Sequence, residues 1–198
     1  MKHQFEVVER QTCYQGFFRM DKVTVQHERF NGGSIKIERE LLERGDAAAV
    51  LLYDPLLDQL VMVEQFRVGA LGSADTPWLV EIVAGIVESN ETPDSVVSRE
   101  SFEETGLRID EIEFISEFFV SPGGCSERMY LFCGSVDAGR AGGVFGLEHE
   151  GEDIKSLVID AAEVPELLVG RKMLSATTIV ALQWFLLNRA RLREKWNP

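Results

Sequence analysis

The sequence is poor in cysteine, in basic residues and in long apolar runs, and each shortage closes a class of explanation. Its three cysteines, Cys13, Cys125 and Cys133, make an odd count with no C-x-x-C pair. That argues against a disulfide framework and against a structural zinc site. The three histidines, His3, His27 and His149, lie far apart and form no metal-spaced pair. Lys and Arg number 20 against 33 Asp and Glu, a formal net charge of −13. Such a field repels phosphate backbones and anionic bilayers, so neither nucleic acid nor a membrane is an expected partner. The opening stretch Met1–Arg10 has no apolar signal core, and Thr177–Leu187 is interrupted by Gln183 and too short to span a bilayer. A soluble, cytoplasmic protein is the expectation.

What is present is the composition of a globular protein: 198 residues, 45% hydrophobic and 27% charged. The first part reads as strands. Phe17–Glu28 and Ser34–Leu42 flank Asn31-Gly32-Gly33, a hairpin turn signal, and Ala47–Tyr53 and Gln59–Gln65 flank the turn residues Asp54–Asp58. A composition shift near Arg44-Gly45-Asp46 separates a polar β unit, residues 1–45, from a more apolar body, residues 46–198. In that body Phe114–Val120 and Met129–Val136 read as strands, and Ala161–Leu168 and Ser175–Lys195 as helices. The fold class is therefore α/β or α+β with a mixed sheet.

The stretch Thr92–Thr105 predicts a helix with both ends marked: Thr92 as N-cap, Pro93 in the first turn and Gly106 just past the end. On it Glu100, Glu103 and Glu104 stand at i, i+3 and i+4, three carboxylates on one face. Such a face is either a solvated acidic surface or a site for a hard divalent cation with oxygen ligands. Two details favour the cation. Val96 and Val97 lie one turn earlier on the same face, so it points inward, and Arg99 can pair with Glu103 four residues on.

Gly85, Glu91 and Arg99-Glu100-Ser101-Phe102-Glu103-Glu104-Thr105-Gly106-Leu107 resemble the Nudix box, G-x5-E-x7-R-E-U-x-E-E-x-G-U, with one departure at Ser101, where an apolar residue is usual. Serine is small enough for that slot, with a minor packing loss expected. Pro122 in Ser121–Arg128, together with Glu64–Arg67, Trp78–Gly85 and Leu147–Asp153, extends the resemblance to the ADP-ribose pyrophosphatase branch of the Nudix hydrolases. The resemblance implies an α/β/α Nudix sandwich preceded by a small antiparallel β domain. It also implies a homodimer exchanging that domain, and Mg²⁺- or Mn²⁺-dependent hydrolysis of ADP-ribose to AMP and ribose 5-phosphate. A diphosphatase for another nucleotide sugar such as GDP-mannose, and a nucleotide-sensing module without turnover, are the alternatives. The intact acid set favours an enzyme.

By the same resemblance Glu100 and Glu104 are the principal metal ligands, with Glu103 bridging or acting through water and the Ala84 carbonyl joining them. Glu91 and Arg99 are structural partners, and Gly85 and Gly106 structural glycines. The acidic, Gly-flanked loop Leu147–Asp153 supplies Glu150 as candidate base and Glu152 as candidate extra ligand; on its residues alone it reads as a solvated loop. Arg67 is either a phosphate partner or a surface ion pair. Phe18, one of an aromatic pair with Phe17, either stacks on adenine or packs in the core. Arg39 and Glu127 are further candidate substrate contacts, Glu127 at the terminal ribose.

Overall fold

The computed structural model describes residues 3–72, 75–170 and 173–197. The chain divides into two compact units: Met1–Asp46 with Phe119–Arg128, and Ala47–Phe118 with Met129–Pro198.

The first unit is a three-stranded antiparallel sheet in the order β1 (Phe5–Gln15), β2 (Arg19–Glu28), β3 (Ser34–Glu43). The β2–β3 turn uses Gly32 and Gly33 at φ 85° and 76°, a conformation open to glycine at little steric cost. Asp21 in β2 is buried and fully engaged: Arg10 Nε donates at 2.6 Å, Thr12 Oγ1 at 2.8 Å and Arg19 Nε at 3.1 Å. Those bonds hold its carboxyl below the usual range despite the burial that opposes them. The remote segment joins this sheet at its third strand. The Leu42 amide donates to Gly124 O at 2.8 Å and the Ser126 amide to Leu42 O at 3.0 Å.

The second unit carries β4 (Ala47–Asp54), β5 (Gln59–Phe66), β6 (Trp78–Glu81), β7 (Val83–Ile86), α1 (Pro93–Thr105), β8 (Glu111–Phe119), β9 (Arg128–Ser135), β10 (Gly143–Phe145), β11 (Ile154–Asp160), α2 (Val164–Val169) and α3 (Ala176–Trp196). Its main sheet runs β10-β11-β5-β4-β9-β8, with β4 and β9 parallel and β4–β5 and β5–β11 antiparallel. Strands β4 and β5 pair only beside their hairpin, Leu52–Asp54 against Gln59–Val61. Beyond that they diverge. The fork is filled by β6, which pairs Val63–Phe66 of β5, and β7, which pairs Ala47–Val50 of β4.

Every residue of β4 is buried, and its alternation feeds two cores. Ala47, Ala49, Leu51 and Tyr53 pack with Val164 of α2 and Ala181, Leu182 and Phe185 of α3. Ala48, Val50 and Leu52 pack with Val96 and Val97 of α1. The result is a helix layer on each face of a mixed sheet, the α/β/α sandwich expected. Among the described residues no helix is long and apolar enough to cross a membrane.

Candidate active site

Helix α1 begins and ends as its sequence predicts. Thr92 is the N-cap residue, its amide donating to Ser95 Oγ at 3.0 Å, and Gly106 closes the helix in the left-handed conformation at φ 72°. Ser101 is buried, and its role differs from the expected packing loss: Oγ donates to Leu107 O at 3.0 Å, securing the chain just past the helix end. Val96, Val97, Glu100 and Glu104 are buried, so the acidic face does point at the sheet.

Arg99 gathers the acids at this face. Its Nε and Nη2 donate to the two oxygens of Glu91 at 2.9 and 3.2 Å, and Nη1 donates to Glu100 Oε1 and Glu103 Oε2, each at 2.8 Å. Glu91 is thereby a clamp between the preceding loop and α1, and its carboxyl is held below the usual range chiefly by Arg99. Burial dominates at Glu100 and Glu104. It pushes Glu100 up to about 7, against the pull of Arg99 and with the help of Glu103 and Glu152. Burial also drives Glu104 well above the ordinary carboxylate range, with Glu100 and Glu152 adding to it and Arg67 opposing.

The sheet floor beneath α1 is unusually close. A Cβ on Gly85 would fall 2.6 Å from Glu100 Cγ and nearer still to its carboxylate. Arg67, just beyond β5, donates from Nε to Glu81 Oε2 at 2.6 Å. Glu81 and Gln65 lie on the same α1-facing side as Val63. In the loop before β11, Glu152 Oε2 accepts from the Leu147 amide at 3.0 Å, and the Gly146 amide donates to Glu103 O at 3.2 Å. Glu152 thus joins the electrostatic neighbourhood of Glu100 and Glu104. Glu150 does not: its side chain is 57% exposed and lies 3.6 Å from His149 Nε2.

Two observations fit a hard divalent cation. Glu104 Oε2 is buried without a hydrogen-bond partner, and the surrounding side-chain donors are carboxylate oxygens that burial makes costly to ionise alone. Among the described residues, however, no three His, Cys, Asp or Glu side chains already stand at metal-binding spacing. Arg99 occupies oxygens of Glu100 and Glu103 in these rotamers, so a cation has to draw them from the guanidinium.

The remaining candidates belong to the N-terminal unit. The Phe18 ring meets Phe17 edge-on at 4.9 Å, and Arg44 Cζ lies 5.1 Å from its centroid. Arg44 Nη1 also reaches Glu127 Oε2 at 3.4 Å, and burial raises the carboxyl of Glu127. Phe18 and Glu127 are therefore linked through a residue the sequence reading missed. Arg39 stands apart, exposed, with Nη1 donating to Glu38 O at 2.7 Å. Glu81 was missed as well, although strand alternation from Val83 would have placed it on the α1 side.

The chain matches the NUDIX domain family over residues 43–197. It is 39% identical over 196 residues to the ADP-ribose pyrophosphatase of Escherichia coli (strain K12), covering 98% of this chain and 94% of that protein. The GDP-mannose pyrophosphatase of Enterobacter sp. (strain 638) is 30% identical over 186 residues, 93% of this chain and 96% of the relative. A solved structure described as a crystal structure of ADP compounds hydrolase superposes with a TM-score of 0.71 at 19% identity, covering 97% and 96% of the two chains, a likeness of fold. With its box residues gathered on α1 and its β7 floor, and with a match spanning most of its length, this chain belongs to the NUDIX domain family.

Proposed function

We propose that the protein is an ADP-ribose diphosphatase: water cleaves the P–O–P bond of ADP-ribose, giving AMP and ribose 5-phosphate. The observation that carries the reaction class is the buried Glu104 carboxylate, its Oε2 without a hydrogen-bond partner, beside Glu100 above the bare Gly85 backbone. The substrate is supported by the full-length relationship to ADP-ribose pyrophosphatases.

Glu100, Glu104 and Glu103, with the Ala84 carbonyl and Glu152, are the groups that hold Mg²⁺ or Mn²⁺. When bound, the cation screens the diphosphate charge and acidifies water. Glu150 takes the proton of the attacking water; its loop position lets it approach as substrate arrives. Arg67 trades its bond with Glu81 for a phosphate oxygen. Phe18 stacks on adenine, Glu127 contacts the terminal ribose, and Arg39 is a further substrate contact. Gly85, Glu91, Arg99 and Gly106 keep the helix and its floor in place.

The assembly in this reading is a homodimer that exchanges its N-terminal units. All eleven residues of β1 are exposed, and four large apolar side chains, Phe5, Val7, Val8 and Tyr14, have no covering layer in their own unit. A cytoplasmic location is supported by the three free cysteines. The decisive test ranks kcat/KM for ADP-ribose, ADP-glucose, GDP-mannose and diadenosine compounds with Mg²⁺. ADP-ribose is expected to lead. GDP-mannose in first place would move the protein to the second reading, which its 30% identity to a GDP-mannose pyrophosphatase supports. Absence of turnover on every compound would overturn both.

A further inference from the structure

The β6–β7 segment changes partners in mid-course. Glu81 is in register with Val63 of β5, whereas Val83 is in register with Val50 of β4. Ile82, between them, belongs to neither ladder, and a buried amide without a ladder partner must be met from elsewhere. It is met from the opposite helix layer. The Ile82 amide donates to Thr178 Oγ1 in the first turn of α3, at 3.2 Å and fully buried. Two residues further on is Ala84, and the next is Gly85, whose backbone lies against the Glu100 side chain.

We propose that Thr178 is a positioning residue for the cation site: by holding Ile82 at the partner switch, its hydroxyl fixes the Ala84 carbonyl and the Gly85 backbone beneath Glu100 and Glu104. Thr178 touches neither substrate nor cation. It acts through the backbone from Ile82 to Gly85, and any relaxation of the switch moves a carbonyl ligand and the floor of the carboxylate site together. Side chains that support a metal site in this indirect way commonly change metal affinity or activity by about 10- to 100-fold. The inference rests on the cation-dependent reading above.

The test compares Thr178→Val, which keeps the shape and removes the acceptor, with Thr178→Ser, which keeps the hydroxyl. Mn²⁺ binding to the resting protein is followed by electron paramagnetic resonance, and kcat and KM for ADP-ribose are measured with Mg²⁺. The valine variant is expected to bind Mn²⁺ about 10-fold or more weakly and to lose a similar factor in kcat, with KM within about 2-fold. The serine variant is expected within about 3-fold of wild type on both. Should valine fail to fold, Thr178→Ala carries the same expectation. In the wild-type protein the Ile82 amide should exchange slowly with deuterium, and fast exchange there overturns the inference whatever the variants do. A valine variant that is less stable yet keeps wild-type Mn²⁺ affinity and kcat where folded also overturns it, leaving the cation reading intact. A wild-type protein that neither binds Mn²⁺ nor turns over ADP-ribose overturns both.

Discussion

Replacing Gly85 with alanine should damage the protein through one contact. Gly85 is not in the left-handed region, so backbone freedom is not what the position requires. Space is. The added methyl falls 2.6 Å from Glu100 Cγ and closer to the carboxylate, and Glu100 cannot simply swing aside. It is buried, and Arg99 Nη1 holds its Oε1 at 2.8 Å. Overpacking of this kind costs about 1–3 kcal/mol; about 2 kcal/mol lowers the Tm of a chain this size by about 4–8 °C. A displacement near 1 Å in a catalytic group costs about 100-fold in rate, equivalent to about 2.7 kcal/mol of transition-state stabilisation. Urea unfolding and ADP-ribose turnover in Mg²⁺ measure the two effects. The contact is isolated by repeating the substitution on a Glu100→Ala background, where the stability cost should shrink to below about 0.5 kcal/mol, a coupling of about 1.5 kcal/mol. Wild-type turnover in Gly85→Ala, or an undiminished cost on the Glu100→Ala background, would refute the reasoning.

Glu104→Gln should reduce kcat by about 100-fold or more while leaving the urea midpoint unchanged or slightly higher, because it removes a carboxyl that burial already penalises; near-wild-type kcat in saturating Mg²⁺ would remove Glu104 from the ligand set. Glu150→Gln should lower kcat by about 100-fold with Mn²⁺ affinity within about 2-fold; a fall in affinity instead would exchange the roles of Glu150 and Glu152. Glu113 in β8 is held down to about 2, chiefly by Arg191, with Lys195 assisting, both on α3. A lowered folded-state pKa means stability that is fully present above the ordinary glutamate range and lost as pH falls toward about 2. Glu113→Gln should therefore cost about 1–2 kcal/mol at pH 7, after allowance for solvent screening at half-exposed Arg191, and nothing near pH 2. A difference from wild type that persists at low pH would show that the loss is one of packing.

Helix α1 was legible because local chemistry specifies it: a cap residue, a proline in the first turn, a terminating glycine and three acids at helical spacing. The strands β4 and β5 and the turn between them were legible for the same reason. Strand β1 was not, because neither of its faces is buried within its own unit, and an exposed strand has no apolar alternation to read. The four-residue strands β6 and β7 are too short to show a period, and their placement follows from the divergence of β4 and β5. Within the site, Arg99 with Glu103 could be anticipated from spacing, and Arg99 with Glu91 from the resemblance to the Nudix box. The links that join distant stretches could not: Ile82 to Thr178 spans 96 residues, and Arg44 to Glu127 crosses the whole gap in the first unit's sequence. The departure at Ser101 was visible, but its bond to Leu107 depends on where the chain turns after the helix.

The parallel pairing of Ala47–Tyr53 with Met129–Ser135 has a kinetic consequence. Neighbours at the centre of the sheet are separated by about 80 residues, so their union pays a large loop-closure entropy before it gains any contact. During synthesis β4, apolar from Ala47 to Leu52, emerges long before its parallel neighbour and waits with one edge unpaired. The β6–β7 insertion closes β4 only on the side away from β9, so the β9-facing edge stays open to other nascent chains until Met129–Ser135 has been made.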